Sequence, residues 1–412
     1  MKKWLVRKPQ KEFAEKILRE SEVTPLCADI LAARGFTSAE DAAKQLNSDG
    51  LSDPFLLKDM REAADVINDA VENFESICIY GDYDCDGITS TVILFSYLEC
   101  MGANVTYYIP ERSEGYGLNA DAVRELAKRG VNLIITVDNG ISAIEESKLI
   151  YELGMHLVVT DHHQPGDELP QAEAVVDPHR KDCPSTFKYL CGAGVALKLV
   201  AALENGDYET ALNEYGEFAA MGTVADVVSL TGENRYIVSN GLRLLENSER
   251  PGVNALIKKS GLKFPLTSAS LAFGLAPRIN ASGRFGSPSL AARLFITDDE
   301  TEALMLTDEL ERLNSERKKA ETDIISEIEQ QIANNPAILY ERVIILNGEN
   351  WHHGVIGIVA SRIMERFDKP CFIITQEGEM SRGSARSFGN FSVFKALDYC
   401  SDILSKFGGH LG

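Results

Sequence analysis

The strongest constraint on this chain is an alternation: five short apolar runs, Ile77–Tyr80, Val105–Ile109, Leu133–Val137, Leu157–Thr160 and Ala174–Val176, with helical stretches between them. Fully apolar strands separated by amphipathic helices form a parallel sheet covered on both faces, so the expected class is α/β. Four of the runs end in metal-ligand chemistry. Asp82, Asp84 and Asp86 follow the first, Asp138 the third, Asp161-His162-His163 the fourth and Asp177-Pro178-His179 the fifth. In an open parallel sheet the carboxyl edge is where ligands bind, because the loops converge there around the switch in strand order.

At 412 residues the chain exceeds what one hydrophobic core organises, so two or three domains are expected. Residues 1–50 read as a helical lead-in with Phe13, Ile17 and Leu18 at helical spacing, and 51–298 as the main α/β unit. Within 299–335, Leu306, Leu310, Leu313, Ala320, Ile324, Ile328 and Ile332 share one helical face. That pattern fits a connecting helix and fits an ordinary surface helix equally. Residues 336–412 form a smaller α/β unit, with strand-like Val343–Leu346 and Phe372–Thr375 around helical Val355–Arg366.

No run approaches the roughly 18 apolar residues of a membrane span, and Met1–Gln10 carries charge without an apolar segment after it, so a cytoplasmic, membrane-free location is expected. The eight cysteines are scattered with no CxxC pair, as in a reduced protein where they pack as small hydrophobes. A net charge of −21 argues against coating nucleic acid by bulk electrostatics. It leaves a nuclease open, because carboxylates that bind divalent cations are neutralised locally.

Gly81-Asp-Tyr-Asp-Cys-Asp-Gly87 places three carboxylates at alternate positions directly after a strand. Carboxylates that close repel unless cations hold them; oxygen donors suit Mg²⁺ or Mn²⁺, and added imidazole favours Mn²⁺ over Ca²⁺. A solvated acidic turn is the plain alternative, and a calcium loop lacks its closing glutamate here. His162 and His163 are adjacent, so their side chains diverge and take different tasks, unless they are a surface pair. Asp226 sits in an apolar helix-like run, where an N-cap is the competing role. Ala276–Arg284 puts Arg278, Asn280 and Arg284 among small residues, either as a phosphate grip or as a structural turn. Trp351–Gly354, Ser381–Ser387 and Phe407–His410 offer further glycine, serine, arginine and histidine groups, to be weighed against ordinary loops.

Gly81–Gly87, Val137-Asp138-Asn139-Gly140, Thr160–His163 and Asp177-Pro178-His179 resemble, in order and context, the motifs of the DHH phosphoesterases, and their spelling resembles the RecJ branch. Gly192-Ala-Gly-Val195 and Gly222–Val227 match as well, and the C-terminal segments resemble the accessory domain called DHHA1. The likeness covers roughly residues 25–410. It implies a parallel-sheet DHH domain with flanking helices, a long connecting helix and a smaller α/β DHHA1 domain. It also implies two divalent cations, Mn²⁺ or Mg²⁺. Asp82, Asp84 and Asp138 would hold one, and Asp86, Asp138, His162 and Asp226 the other, with Asp138 bridging. His163 would stabilise charge on the phosphoryl group, Asp161 would orient a histidine, and Asp177 and His179 would support from behind. Substrate contacts would fall to Arg278, Asn280, Arg284, His353, Ser384, Arg386, Gly409 and His410.

The implied activity is 5′ to 3′ hydrolysis of single-stranded DNA to mononucleotides in repair and recombination. The alternative is a phosphodiesterase for short oligonucleotides or cyclic dinucleotides. Implied partners are single-stranded DNA, a helicase and a single-strand-binding protein, with the chain as a monomer. One departure is noted: the family usually continues past the Gly-Gly-His motif, where this sequence stops, so a truncated core or short variant is expected.

Overall fold

The computed structural model describes residues 6–46, 50–378 and 380–405. Helices α1 (Lys11–Glu20), α2 (Pro25–Ala33) and α3 (Ala39–Leu46) come first, around Ile17, Ala28, Leu31 and Ala42. Helix α4 (Met60–Glu72) leads into β1 (Ile77–Tyr80), α5 (Cys85–Cys100), β2 (Val105–Tyr108), α6 (Ala120–Lys128), β3 (Leu133–Val137), α7 (Ile144–Glu152), β4 (His156–Thr160) and β5 (Ala174–Val176). The expected parallel sheet forms, in the order β2-β1-β3-β4-β5. Strands β1, β3 and β5 are buried at every position, as their unbroken apolar sequences require. β4 starts one residue before its apolar run, at exposed His156, and β2 ends at Tyr108.

The order places the switch point. From β1 the chain goes to one side for β2 and then to the other for β3, so the loops after β1 and β3 diverge and leave a crevice at their carboxyl ends. Those are the loops that carry Asp82–Asp86 and Asp138.

Helices α8 (Gly192–Leu203), α9 (Tyr208–Ala225), α10 (Gly232–Glu246), α11 (Pro251–Ser260), the single turn α12 (Ser268–Ser270), α13 (Ala276–Phe285), α14 (Ser289–Ile296) and the 35-residue α15 (Glu300–Asn334) follow. Helix α5 packs on α8 and α9 and is buried almost all round. Three hydroxyls in it need internal acceptors. Thr89, Ser90 and Thr91 donate to the carbonyls of Cys85 (2.8 Å), Asp86 (2.7 Å) and Gly87 (2.7 Å), so none is left unpaired.

The chain divides into two compact units. One runs to Ile279 and includes Ala291–Thr307; the other comprises Asn280–Leu290 and the chain from Asp308. In the second unit, β6 (Ile344–Glu349), α16 (His353–Phe367), β7 (Cys371–Glu377) and β8 (Met380–Arg386) are followed by α17 (Val393–Tyr399). β6 pairs with β7 in parallel, and β7 with β8 antiparallel. Ile344, Leu346, Val355, Val359, Ile363 and Ile373 form its core with Ile324 and Ile328 of α15. All eight cysteines are free. Among the described residues no helix is long and apolar enough to cross a membrane.

Two local readings are corrected. Ala276–Arg284 is the helix α13, not a turn; it continues without a break from a π-helical turn, Leu271–Leu275, and that widened turn is where the chain accommodates Pro277, which has no N–H to give. Ser381–Arg386 is the edge strand β8 rather than a loop: its register with β7, from Cys371↔Arg386 to Glu377↔Met380, supplies the partners that its polar, glycine-bearing sequence does not advertise.

Candidate metal centre

The site is assembled from β1 outward. Asp84 caps α5, its Oδ1 accepting from the N–H groups of Asp86 (2.9 Å) and Gly87 (3.1 Å). Asp86, the second residue of α5, accepts from the N–H groups of Gly192 (2.6 Å) and Ala193 (2.9 Å) at the start of α8. Its carboxylate thus lies at the positive ends of two helices, which lowers the cost of holding its charge indoors. This also explains the glycines of the matching segments. A Cβ on Gly192 would stand 2.5 Å from the Asp138 Cβ, and one on Gly222 would stand 2.4 Å from an Asp86 carboxylate oxygen.

Asp138 leaves β3 with φ +61°, a left-handed conformation that aspartate tolerates better than most residues. The following Asn139 donates to the carbonyls of Val137 (2.9 Å) and Tyr80 (3.2 Å), which holds the turn against β1. One ligand atom from each of Asp82, Asp84 and Asp138 lies within 4.8 Å of the others, and the same holds for Asp86, His162 and Asp226 and for Asp138, His162 and His163. His162 Nε2 ties the groups together, 3.0 Å from Asp138, 3.7 Å from Asp86 and 3.8 Å from Asp226.

Asp226 is not an N-cap. It is the C-cap of α9, where the helix dipole disfavours an anion. Val227 beside it takes φ +61° and is 86% exposed, an uncommon conformation for a β-branched residue, and such strain concentrates at functional sites. Burial, then the charges of Asp86 and Asp84, push the Asp226 carboxyl up to about 8. Burial and neighbouring aspartates likewise push Asp82 and Asp138 well above the ordinary carboxylate range.

The two histidines differ as their adjacency requires. Burial holds the His162 imidazole below its usual pKa, so it is neutral and keeps a lone pair. His163 is raised to about 9: burial opposes its charge, but the hydrogen bond to Asp161 (Nδ1 to Oδ1, 2.7 Å) and the charges of Asp161, Asp226 and Asp86 together outweigh it. Asp161 also accepts from the N–H groups of Ile141 (2.9 Å), His162 (2.7 Å) and His163 (3.1 Å), and with His163 these keep it ionised despite its burial. Behind them, His179 Nδ1 donates to the His162 carbonyl (2.6 Å), and Asp177 accepts from the His179 N–H (2.6 Å).

The donor set fits hard divalent cations. Asp82 Oδ1, Asp138 Oδ1 and His162 Nε2 are buried without a hydrogen-bond partner among the described residues. Like-charged carboxylates at this spacing, with one neutral imidazole, form a cation site for Mg²⁺ or Mn²⁺.

The expected substrate residues are placed differently. Arg278, 9% exposed, donates to the Gly274 carbonyl (2.6 Å), and in the second unit Arg284 donates to the Gly354 carbonyl. Asn280 lies on α13. His353 begins α16, 3.8 Å from Glu377. Arg386 donates to Ser361 Oγ (2.8 Å), Ala385 O (2.8 Å) and Ser384 Oγ (3.4 Å). Gly409 and His410 lie outside the described residues.

Two residues near the centre escaped the sequence reading. The Tyr116 hydroxyl meets His163, and the Arg112 guanidinium stacks 4.2 Å over the Tyr83 ring, its charge acting on Asp82. The only signal for either is the Glu111–Gly117 segment, which reads as a plain turn.

Comparison with known proteins gives two domain matches, the DHH family, N-terminal domain, over residues 76–223 and the DHHA1 domain over residues 335–412. The chain is 41% identical to the single-stranded-DNA-specific exonuclease RecJ of Bacillus subtilis (strain 168), over 99% of this chain and 52% of that protein. It is 35% identical to the RecJ of Escherichia coli (strain K12), over 95% of this chain and 71% of that one. The crystal structure of RecJ in complex with Mn²⁺ from Thermus thermophilus superposes with a TM-score of 0.84 at 34% identity, covering 98% of this chain and 57% of that one. The chain therefore spans about half the length of the Bacillus subtilis relative.

Proposed function

The chain belongs to the RecJ family of DHH proteins, and from that premise we propose that it is a divalent-cation-dependent phosphodiesterase that shortens single-stranded DNA from the 5′ end. The observation that carries this reading is the convergence of Asp82, Asp84, Asp86, Asp138, His162 and Asp226 at the sheet's switch point, with Asp226 at the unfavourable end of a helix.

On this reading Asp82, Asp84 and Asp138 would hold one cation and Asp86, His162, Asp226 and Asp138 a second. When bound, two such cations supply the positive charge that activates water and stabilises the phosphoryl oxygens. The protein's own groups do the rest. Asp161 fixes His163 by its Nδ1–H and keeps the ring charged, so the imidazolium is available to phosphoryl oxygens that gain charge in the transition state. His179 and Asp177 hold the His162 backbone, which sets the direction of that ring. Arg278, Asn280, Arg284, His353, Ser384 and Arg386 stand as phosphate and sugar contacts. The chain would act as a cytoplasmic monomer on strands opened by a helicase and covered by a single-strand-binding protein.

The test is digestion of a 5′-phosphorylated single strand with Mn²⁺, beside its duplex, its 3′-blocked form and a dinucleotide. Mononucleotides released from the free and 3′-blocked strands, with the duplex spared and activity abolished by chelation, are expected. Cleavage of the dinucleotide alone, or of cyclic dinucleotides alone, would replace this substrate with a short one.

A further inference from the structure

We propose that Asn234 is a positioning residue for the Asp86 and Asp226 carboxylates, its side-chain amide clasping the chain that leaves α9 to the chain that enters α8. The inference rests on the reading above in which those two carboxylates share a cation.

Asn234 lies in the first turn of α10 and is fully buried. Its Nδ2 donates to the carbonyl of Tyr189 (2.5 Å) and to that of Ser229 (3.0 Å). An amide nitrogen carries two hydrogens, and here each has one acceptor. The reverse orientation would set Oδ1 against two carbonyl oxygens, so the acceptors themselves fix which way the amide faces. Oδ1 has no hydrogen-bond partner among the described residues. A buried amide with an unpaired oxygen costs more than an apolar side chain would, so what asparagine offers here is the pair of donors.

Both carbonyls stand close in sequence to the groups that hold the site. Three residues after Tyr189 comes the Gly192 N–H, which with the Ala193 N–H holds Asp86. Three residues before Ser229 comes Asp226. Between Asp226 and Ser229 the chain passes through left-handed Val227, which is 86% exposed and has little packing to hold it. Strain of that kind persists only where neighbours over-determine the backbone. The Ser229 carbonyl is held twice, by Asn234 and by the Thr231 N–H (2.9 Å). The start of α8 and the end of α9 also touch directly: Cys191 Sγ lies 3.4 Å from Thr223 Oγ1, and Gly222 lacks the side chain that would strike Asp86 and Ala193. Asn234 bonds to the chain just before the one and just after the other.

The clasp has a fixed base. Glu233, beside it, pairs with the buried Lys198 of α8 (2.6 Å) and accepts from Ser52 Oγ (2.7 Å), which fastens the first turn of α10 to α8.

Asn234→Ala removes both donors. In Mn²⁺ titration calorimetry one of the two sites should weaken about ten-fold, the scale of losing a residue that orients a ligand from behind. The loss should vanish in an Asp226→Asn background and persist in an Asp82→Asn background, whereas a general loosening of the fold would weaken binding in both. Affinities within about two-fold of the parent's, or equal losses in the two backgrounds, overturn the proposal. Should the alanine variant not fold, Asn234→Ser, which keeps one donor, carries the same test with the same outcomes. A second readout needs no cation: in the metal-free protein, hydrogen exchange at the Gly192 and Asp226 N–H groups should quicken together in Asn234→Ala, by at least about five-fold, the scale of one lost hydrogen bond. Unchanged exchange at either overturns the proposal. Quickened exchange at both in a protein that binds no Mn²⁺ supports it and sinks the cation reading instead.

Discussion

The carboxyl edge of the five-stranded sheet and the three-stranded sheet of the second unit both present groups suited to a phosphodiester, in opposite electrostatic states. At the first, short aspartates after β1, after β3 and at the end of α9 fall with His162 and His163 into groups of three whose ligand atoms lie within 4.8 Å of one another, with buried acceptors left unpaired among the described residues. At the second, long cationic side chains already have local acceptors: Arg284 has the Gly354 carbonyl, and Arg386 has Ser361, Ser384 and Ala385. A cluster of one sign requires an outside partner and so names its ligand's charge. An arginine satisfied by its own backbone names nothing until a stronger acceptor competes for it.

The contrast breaks most easily at Asp138. Asp138→Asn removes the carboxylate shared between the two groups, and single-strand hydrolysis with Mn²⁺ should drop by at least about a thousand-fold. Stability without metal should hold or rise, because repulsion with Asp82, Asp84 and Asp86 is relieved. Mn²⁺ titration calorimetry and a thermal melt separate the two effects. Activity kept within about ten-fold of the parent's would mean the acidic edge is not where the cations work.

How much of this the sequence discloses differs between the two regions for a physical reason. Parallel strands buried on both faces spell themselves as unbroken apolar runs, and a residue just after such a run has one place to go, so the sheet and Asp82–Asp86, Asp138 and Asp161–His163 were legible from spacing. From the local sequence alone Asp226 was legible only as a helix terminus, its ligand role being implied by the family resemblance, and the sign of that terminus was not legible, because Val224-Ala-Asp-Val227 lacks the marks of either end. The helix α13 and strand β8 were hidden because neighbours impose them: Asn280, Gly283 and Ser282 are poor helix formers, and Met380–Arg386 lacks β-branched residues. Tyr116 and Arg112 stayed out of view because their partners, His163 and Tyr83, are distant in sequence.

The cationic side of the comparison sharpens at Arg386. If it leaves its internal acceptors for a phosphate, Arg386→Lys should raise KM about ten-fold while kcat at saturating strand stays near the parent's, since lysine keeps the charge and loses the fork. An unchanged KM with a lowered melting temperature would show instead that its bond to Ser361 merely fastens β8 to α16.

The smallest effect is the one that tests the electrostatics of the acidic edge without touching a candidate ligand. Asp177 is fully buried, and burial, then the charge of Asp161, raises its carboxyl from 3.8 to about 8. Between those values the folded state binds a proton that the unfolded chain has lost, so this residue's contribution to stability is largest at low pH and is lost as pH rises towards 8. Asp177→Asn removes the titration but keeps an acceptor for the His179 N–H, and with it the support behind His162. At fixed Mg²⁺ concentration the variant should melt on the order of a few degrees above the parent at pH 8, the gap narrowing to nothing as the pH falls to about 4. A gap that does not change with pH would mean Asp177 holds the same charge throughout, and that the field of this edge is weaker at its back than at its mouth.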